Sequence, residues 1–115
     1  MDKLFEVFDT DLDAIEIGAA ILGTGGGGNP YIGKLRCRLQ LQQGRRIKVI
    51  PIDELRDDAL VVSLGGIGAP VVGVEKIEQG EECLRAVHAL EDDLGCKVDA
   101  LISSEIGGAN SMEPM

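Results

Sequence analysis

Glu105 is the side chain in this sequence whose type and position best suit acid–base chemistry. It follows an apolar segment predicted to be a strand, residues 98–102, and stands just before Gly107 and Gly108. A carboxyl group at the end of a buried strand is expected to lose part of its hydration, which raises its pKa toward the range of a general base. We therefore predict that Glu105 is the catalytic base, with a helix cap or a bond to loop amides as the structural alternative.

Two neutral residues just beyond Glu105, Asn110 and Ser111, are predicted to bind the substrate. Their amide and hydroxyl groups both donate and accept hydrogen bonds, as recognition of a substrate amide requires. Glu75 is a further candidate because it stands alone in an apolar stretch. For Glu75, pairing with Lys76 or simple exposure to solvent is the competing interpretation.

A run of four glycines follows the first predicted helix. Because glycine is costly to order, such a run indicates either turns closed to other residues or a very close approach to the main chain. A flexible linker fits poorly, since apolar residues flank the run on both sides. We predict a loop that contacts the substrate through Gly25, Gly26, Gly27, Gly28 and Asn29, with Thr24 as a further contact.

Two alternatives to a substrate loop remain open for this run. One is packing of the backbone alone. The other is a nucleotide phosphate site, which the sequence disfavours. Phosphate-binding loops follow a strand and open a helix, whereas this run follows a helix, and no Lys-Ser or Lys-Thr pair lies nearby.

Glycine clusters also follow the second and third predicted strands, at residues 65–68 and 107–108. In open α/β sheets, ligands bind outside the carboxyl ends of the strands. If these two strands are parallel neighbours, both loops lie at one edge of the sheet, and we include Gly68 among the substrate contacts. The competing interpretation is that each cluster only forms a tight turn between a strand and a helix.

The sequence offers little for other kinds of catalysis. Its three cysteines are scattered and have no adjacent base, which disfavours a nucleophilic role, and its single histidine, His88, is expected at the surface. No acidic block has the spacing of a metal-binding loop. We name no metal ligand in this chain and assign no cofactor, and use of a metal stays open because aspartate and glutamate are plentiful.

Two helices are expected to flank the glycine run. The first begins at residues 10–11, is capped by a box formed by Thr10 and Asp13, and stops at Gly23. The second begins after the run and ends at residues 42–44. From their spacing, the inward side chains are predicted to be Leu12, Ile15, Ala19 and Leu22 in the first helix and Ile32, Leu35 and Leu39 in the second.

The remainder of the chain predicts strands at residues 46–52, 59–64 and 98–102 and a helix at 80–94. The second of these strands is continuously apolar, which is typical of a strand covered on both faces. Alternation of helix and strand predicts an α/β fold. Residues 1–115 are expected to form one domain, and three strands are few for a self-sufficient one, so we expect a longer polypeptide or a partner chain to complete it.

Composition excludes several classes of function. A net charge of −9 disfavours nucleic acids and anionic membrane surfaces as partners. No apolar run is long enough to span a membrane, and an odd number of scattered cysteines suits reduced thiols. We expect a cytoplasmic protein that associates with itself or with another chain.

Three motifs, in order, resemble those of the S-methyl thiohydantoin desulfurase domain family. They are residues 17–31 (IGAAILGTGGGGNPY), Gly68-Ala69-Pro70 followed by Glu75-Lys76, and residues 105–111 (EIGGANS). The resemblance runs over nearly the whole chain, which corresponds to the N-terminal portion of longer family members. It implies a layered α/β/α sandwich that forms part of a larger domain.

The resemblance also implies a substrate class. The family is linked with hydantoinases and oxoprolinases, which open or modify five-membered cyclic amides. On this basis the chain is expected to be part of a hydrolase or desulfurase acting on a hydantoin-like ring, with Glu105 as base and Asn110 as the partner of the ring amide. The alternative is a non-catalytic domain or subunit whose glycine loops are structural and which acts through protein association.

Overall fold

A computed structural model describes residues 5–115 of the chain. Its helices and strands follow one another as β1 (Phe5–Val7), α1 (Leu12–Gly23), α2 (Pro30–Gln42), β2 (Ile47–Val49), β3 (Val61–Ser63), α3 (Pro70–Glu75), α4 (Glu82–Leu94) and β4 (Ala100–Ile102). Mixed helix and strand confirm the predicted α/β class. Within residues 5–115, no helix has both the length and the apolar character that crossing a membrane requires.

The strands pair in two separate sheets, whereas the sequence predicts a single sheet of three strands. Strand β1, which the sequence pattern misses, pairs antiparallel with β2, and β3 pairs parallel with β4. At three residues, β1 is too short to show an alternating pattern. Strands β3 and β4 are parallel neighbours, and their carboxyl ends share one edge. This is the condition under which the sequence analysis places the loops after these strands together.

Helix α1 occupies the predicted span, but both of its ends differ in detail. At its start, the Phe8 N–H donates to the Asp11 carboxylate over 2.8 Å, in place of a Thr10–Asp13 box. At its end, Thr24 adopts a left-handed conformation, with φ at 48°, and Gly23 remains helical. Glycine is needed at position 23 for a different reason, its close contact with Gly108.

Helix α2 begins with Asn29 as its N-cap, whose side chain accepts a hydrogen bond from the Tyr31 N–H over 3.1 Å. Its buried residues are Gly33 and Cys37. The side chain of Met112 packs on Gly33, where a Cβ atom would lie 3.2 Å from the methionine sulfur. The predicted inward face is therefore wrong, and its three residues are exposed: Ile32, Leu35 and Leu39.

Helix α4 confirms the predicted helix at residues 80–94 and ends at Gly95 in the left-handed conformation. At its start, the Glu82 carboxylate accepts hydrogen bonds from the N–H groups of Gln79 and Gly80. These bonds, the first of them above all, lower the pKa of Glu82. The short helix α3 is absent from the sequence prediction, because six residues are too few to show a helical period.

Within residues 5–115, the buried apolar side chains form one hydrophobic core between the first sheet and helices α1 and α2. Its buried side chains are Val7, Leu12, Ala19, Cys37, Ile47 and Met112. All of them belong to residues 5–49 or 107–115, which we call the packed region. Residues 50–106 form the open region, in which no described side chain is buried. Strand β3 is therefore not covered on both faces as predicted, and Val61 is 39% exposed.

The chain exposes more surface than a compact protein of its size. Its accessible area is 8341 Å², whereas a folded monomer of 12.2 kDa exposes roughly 6,100 Å². Large apolar side chains contribute to the excess, and in the open region Ile67 and Ile77 are fully exposed. The radius of gyration, 14.5 Å, likewise exceeds the ~13 Å expected for this length.

Candidate functional site

The three glycine clusters meet at the edge where β3 and β4 end. The parallel ladder closes with a hydrogen bond from the Leu64 N–H to the Ile102 carbonyl over 2.9 Å. Immediately beyond it, Gly66 is hydrogen-bonded to Asn110. The main chain of Asn110 is in turn bonded to Gly27. This convergence confirms the expectation that the loops following the two strands lie together.

The glycine run and the third cluster pack backbone against backbone. A Cβ atom on Gly27 would lie 2.6 Å from the Gly107 carbonyl oxygen, and one on Gly108 would lie 2.5 Å from the Gly26 carbonyl oxygen. Gly27 and Gly108 also have φ angles of 78° and 69°, which side chains disfavour. The close approach predicted for this run is made, at these positions, by the chain itself.

Backbone hydrogen bonds hold the two segments in this register. The Gly108 N–H donates to the Ala19 carbonyl over 2.8 Å, and the Asn110 N–H donates to the Gly27 carbonyl over 2.9 Å. A third bond, of 3.2 Å, runs from the Ala109 N–H to the Gly28 carbonyl. The loop that carries Glu105 is thereby attached to the end of α1 and to the glycine run.

Glu105 lies at the centre of this arrangement. Its backbone is held by Ser103, whose hydroxyl accepts from the Glu105 N–H over 3.0 Å and donates to the Glu105 carbonyl over 2.9 Å. Its Oε1 atom accepts from Asn110 Nδ2 over 3.1 Å. A Cβ atom on Gly27 would lie 2.7 Å from Oε2, so the glycine leaves room for the carboxylate.

The side chain of Glu105 is exposed, so the predicted loss of hydration is wrong. No described side chain of the open region is buried, and the strand edge that carries Glu105 is open to solvent in the same way. Ser103 is a residue whose role the sequence analysis misses. The available signal is the Ser-x-Glu spacing, which is typical of a serine hydroxyl bonded to the backbone two residues on.

The side-chain amide of Asn110 is hydrogen-bonded to other groups of the protein. Its Oδ1 atom accepts from the Gly66 N–H over 2.7 Å, and its Nδ2 atom donates to the Gly66 carbonyl over 2.9 Å as well as to Glu105. The Ser111 hydroxyl donates to the Gly108 carbonyl over 2.7 Å. Contact of either residue with a substrate stays a prediction, and each retains only acceptor capacity for it.

The other residues predicted in the glycine run have distinct local roles. Thr24 and Asn29 terminate α1 and start α2, respectively. Gly26 donates its N–H to the Gly23 carbonyl over 2.9 Å. A Cβ atom on Gly25 would meet nothing within 4 Å, so this residue faces open space. Among residues 5–115, no protein acceptor takes the N–H groups of Gly25, Gly27 and Gly28.

Two predicted residues are not brought to the site by any contact. Gly68 is exposed and a Cβ atom there would meet nothing within 4 Å, whereas its neighbour Gly66 bonds Asn110. Glu75 ends α3 with its side chain exposed, and in the described part of the chain it forms neither a hydrogen bond nor an ion pair. Gly66, rather than Gly68, is the member of the second cluster that is hydrogen-bonded to Asn110.

Two of the three cysteines, Cys37 and Cys83, are poorly suited to act as nucleophiles. Cys37 is buried, and burial raises the pKa of its thiol. Burial, together with a hydrogen bond to Glu113, raises the pKa of the Cys83 thiol to about 11. Both thiols are therefore protonated at neutral pH. Among residues 5–115, no cluster of histidine, cysteine and carboxylate side chains suits a metal ion.

A depression of about 290 Å³ lies elsewhere, at the end of α4. It is lined by Glu91, Asp92, Gly95, Cys96 and Lys97. None of the residues predicted to act on a substrate contributes to it. We assign the candidate site to the loops around Glu105, because backbone loops and polar side chains converge there, whereas the depression is a gap beside a helix end.

Comparison of the sequence with known protein families places the chain in a family. The model of the family described as S-Me-THD-like, N-terminal domain, matches residues 10–115. No curated protein and no solved structure matches the chain. The matched span contains every residue of the candidate site and agrees with the family resemblance of the three motifs. The chain therefore belongs to the S-Me-THD-like family, in which it represents the N-terminal domain.

Proposed function

We propose that this domain forms part of an enzyme that removes a sulfur substituent from, or hydrolyses, a hydantoin-like cyclic amide. The observation that carries the proposal is the placement of Glu105. Its carboxylate is held between Gly27 and Asn110, at the strand edge where three glycine loops meet. Membership of the S-Me-THD-like family supports the substrate class.

An exposed and oriented carboxylate suits the activation of water. With an S-methyl thiohydantoin, Glu105 takes a proton from water as the oxygen attacks the ring carbon that bears the sulfur. A C–O bond forms and the C–S bond then breaks, so that methanethiolate leaves and takes up a proton. The C=N electron pair moves to the ring nitrogen, which takes up the proton that Glu105 removed from water. The hydroxyl proton passes to the thiolate as the carbonyl forms, and the products are hydantoin and methanethiol.

The glycine run supplies the second requirement, which is stabilisation of negative charge on the ring. The N–H groups of Gly25, Gly27 and Gly28 have no protein acceptor in the described chain. Backbone N–H groups fixed in this way can donate to a developing anion without reorganising. The loop therefore acts as donor beside the base, and substrate contact needs no side chain from positions 25–28.

Release of methanethiol from S-methyl thiohydantoin, followed with a thiol reagent, tests this proposal. We expect Glu105→Gln to lower the rate about 100-fold or more if Glu105 is the general base. Glu81→Gln is the matched control, because Glu81 is exposed and precedes α4. Equal rates for the wild-type protein and Glu105→Gln would contradict the assignment of the base.

Binding is tested separately by NMR titration with hydantoin. The glycine amides occupy their own part of the nitrogen–proton correlation spectrum and report on each cluster. We expect Gly25, Gly27 and Gly66 to shift, and Gly44 and Gly95, which end α2 and α4, to stay unchanged. An unchanged spectrum at saturating hydantoin would contradict the proposed substrate class.

We further propose that the domain works in the cytoplasm and in association with itself or another chain. Three free cysteines support a reducing location, and the large exposed apolar surface of the open region supports a protein partner. Native mass spectrometry measures the association. A 12.2 kDa monomer that unfolds cooperatively at all concentrations would contradict it.

A further inference from the structure

We propose that Asn110 is a positioning residue that sets the Glu105 carboxylate by tying it to Gly66. The inference rests on the proposed function of Glu105, and assigns to Asn110 a role other than direct binding of the ring amide. Three hydrogen bonds of one amide group carry it. They connect Asn110 with both polar groups of the Gly66 backbone and with Glu105 Oε1.

The amide of Asn110 imitates a peptide group at the end of a strand ladder. Its oxygen accepts from the Gly66 N–H over 2.7 Å and its nitrogen donates to the Gly66 carbonyl over 2.9 Å. This pairing uses one of the two N–H bonds of the side chain. The geometry leaves the second N–H for Glu105 Oε1, 3.1 Å away.

The base of the Asn110 side chain is fixed independently. Its main-chain N–H donates to the Gly27 carbonyl over 2.9 Å. The residue therefore starts from the glycine run of the packed region and reaches the loop after β3 in the open region. A displacement of Gly66 changes the orientation of the amide, and with it the donor that faces Glu105.

Glu105 depends on this donor because little else restrains its carboxylate. Ser103 fixes the backbone of Glu105, and Gly27 limits the space beside Oε2. In the described chain, Asn110 is the side chain that donates a hydrogen bond to the carboxylate. Without it, an exposed glutamate side chain samples several rotamers in solvent.

Asn110→Asp is the decisive variant, since it keeps the size of the side chain and its bond from the Gly66 N–H. It removes both donors, to Gly66 and to Glu105. In the S-methyl thiohydantoin assay we expect kcat to fall ~10–100-fold while KM changes far less. Gln43→Glu is the control for charge, because it adds the same charge at an exposed position after α2.

A direct readout of positioning is the set of three-bond proton couplings of Glu105, which report its side-chain rotamer. We expect one dominant rotamer in the wild type and averaging in Asn110→Asp. Asn110→Ser removes the amide without adding charge and gives the same readout if the aspartate variant unfolds. Averaged couplings in both variants support the proposal, whereas a single unchanged rotamer in a folded variant overturns it.

The two proposals fail in different ways. Full activity of Glu105→Gln overturns the proposed function, whatever Asn110 does. Loss of activity in Glu105→Gln combined with a wild-type kcat in Asn110→Asp overturns the positioning role alone. Low kcat in both variants, together with averaged rotamers in Asn110→Asp, supports both.

Discussion

The packed region and the open region differ in burial although both are rich in apolar residues. Leu12 in α1 is fully buried, whereas Leu94 at the end of α4 is 50% exposed. In the packed region an antiparallel sheet and two helices enclose one core. In the open region a two-stranded parallel sheet forms, but no described side chain there is buried. Because parallel sheets are stable when both faces are covered, apolar content alone does not make a core.

The candidate site lies where the two regions meet. Glu105 belongs to the open region, and its neighbours Gly27 and Asn110 belong to the packed region. The site therefore joins backbone segments of the packed region to a loop of the open region. This difference predicts that mutations on the packed side change stability, and that those on the open side change the position of the loop.

The largest effect is expected from truncating matched leucines in the two regions. Leu12→Ala removes a side chain with no exposure and should lower the free energy of unfolding by about 2–5 kcal/mol. Leu94→Ala should change it by less than about 0.5 kcal/mol, since half of that side chain is already in solvent. Urea unfolding measures both. Equal losses would show that the open region has a core of its own.

A second effect concerns two glycines of the same helix, Gly23 and Gly18. A Cβ atom on Gly23 would lie 2.7 Å from the Gly108 nitrogen, whereas one on Gly18 would meet nothing within 4 Å. We expect Gly23→Ala to destabilise the fold by ~1–3 kcal/mol. Gly18→Ala should instead stabilise α1 by up to about 1 kcal/mol, through helix propensity.

Thermal unfolding of the two glycine variants provides the measurement. Because both positions are helical and differ in their surroundings, the sign of the change isolates the contact between α1 and the third cluster. A stabilising effect of Gly23→Ala would mean that the glycine run and residues 107–108 do not interlock in solution. The backbone packing beside the Glu105 carboxylate would then have to be formed by other residues.

The smallest effect is the pH dependence of the ion pairs between α1 and α2. Hydrogen bonds from Lys34 and then Arg38 hold the pKa of Asp13 below its usual value. The stabilisation is therefore complete above the unfolded pKa of about 3.9, and is lost as pH falls through the lower folded value. Asp13→Asn should lower Tm at neutral pH and converge with the wild type in acid.

The control for this pH series is Asp57→Asn, which alters an exposed carboxylate of the open region. Its Tm should follow that of the wild type at every pH. If Asp13→Asn shows no difference at neutral pH, the ion pairs do not contribute to the packing of α1 against α2. Added salt should reduce the effect, since the Asp13 carboxylate faces solvent.

Local signals predicted much of the fold. The span of α1, the span of α4 and its stop at Gly95 follow from apolar spacing and glycine, which act over a few residues. The apolar character of β3 and β4 indicated strands, but their pairing depends on the tertiary structure. The elements missed, β1 and α3, have three and six residues, too few to show a period. The inward face of α2 was predicted wrongly because Met112, which is distant in sequence, packs against Gly33.

Prediction of the site was limited by the same dependence on distant residues. The glycine clusters indicated which loops matter, and the structure brings them together as expected. Sequence could not show that Gly66, rather than Gly68, reaches Asn110, because both are glycines of one loop. It could not show the exposure of Glu105 either, since burial depends on what lies over the strand edge.

The sequence by itself determined the α/β class, the family and the order of the three motifs, because these are properties of local pattern. Only the tertiary structure decided that the glycines at the end of α1 and in the run pack against Gly107 and Gly108. Gly23, Gly27, Gly107 and Gly108 are required because two main chains pass within contact distance, a constraint that arises from segments some eighty residues apart. The orientation of the Glu105 carboxylate also depends on the tertiary structure, because Asn110 contacts one of its oxygen atoms and Gly27 lies beside the other.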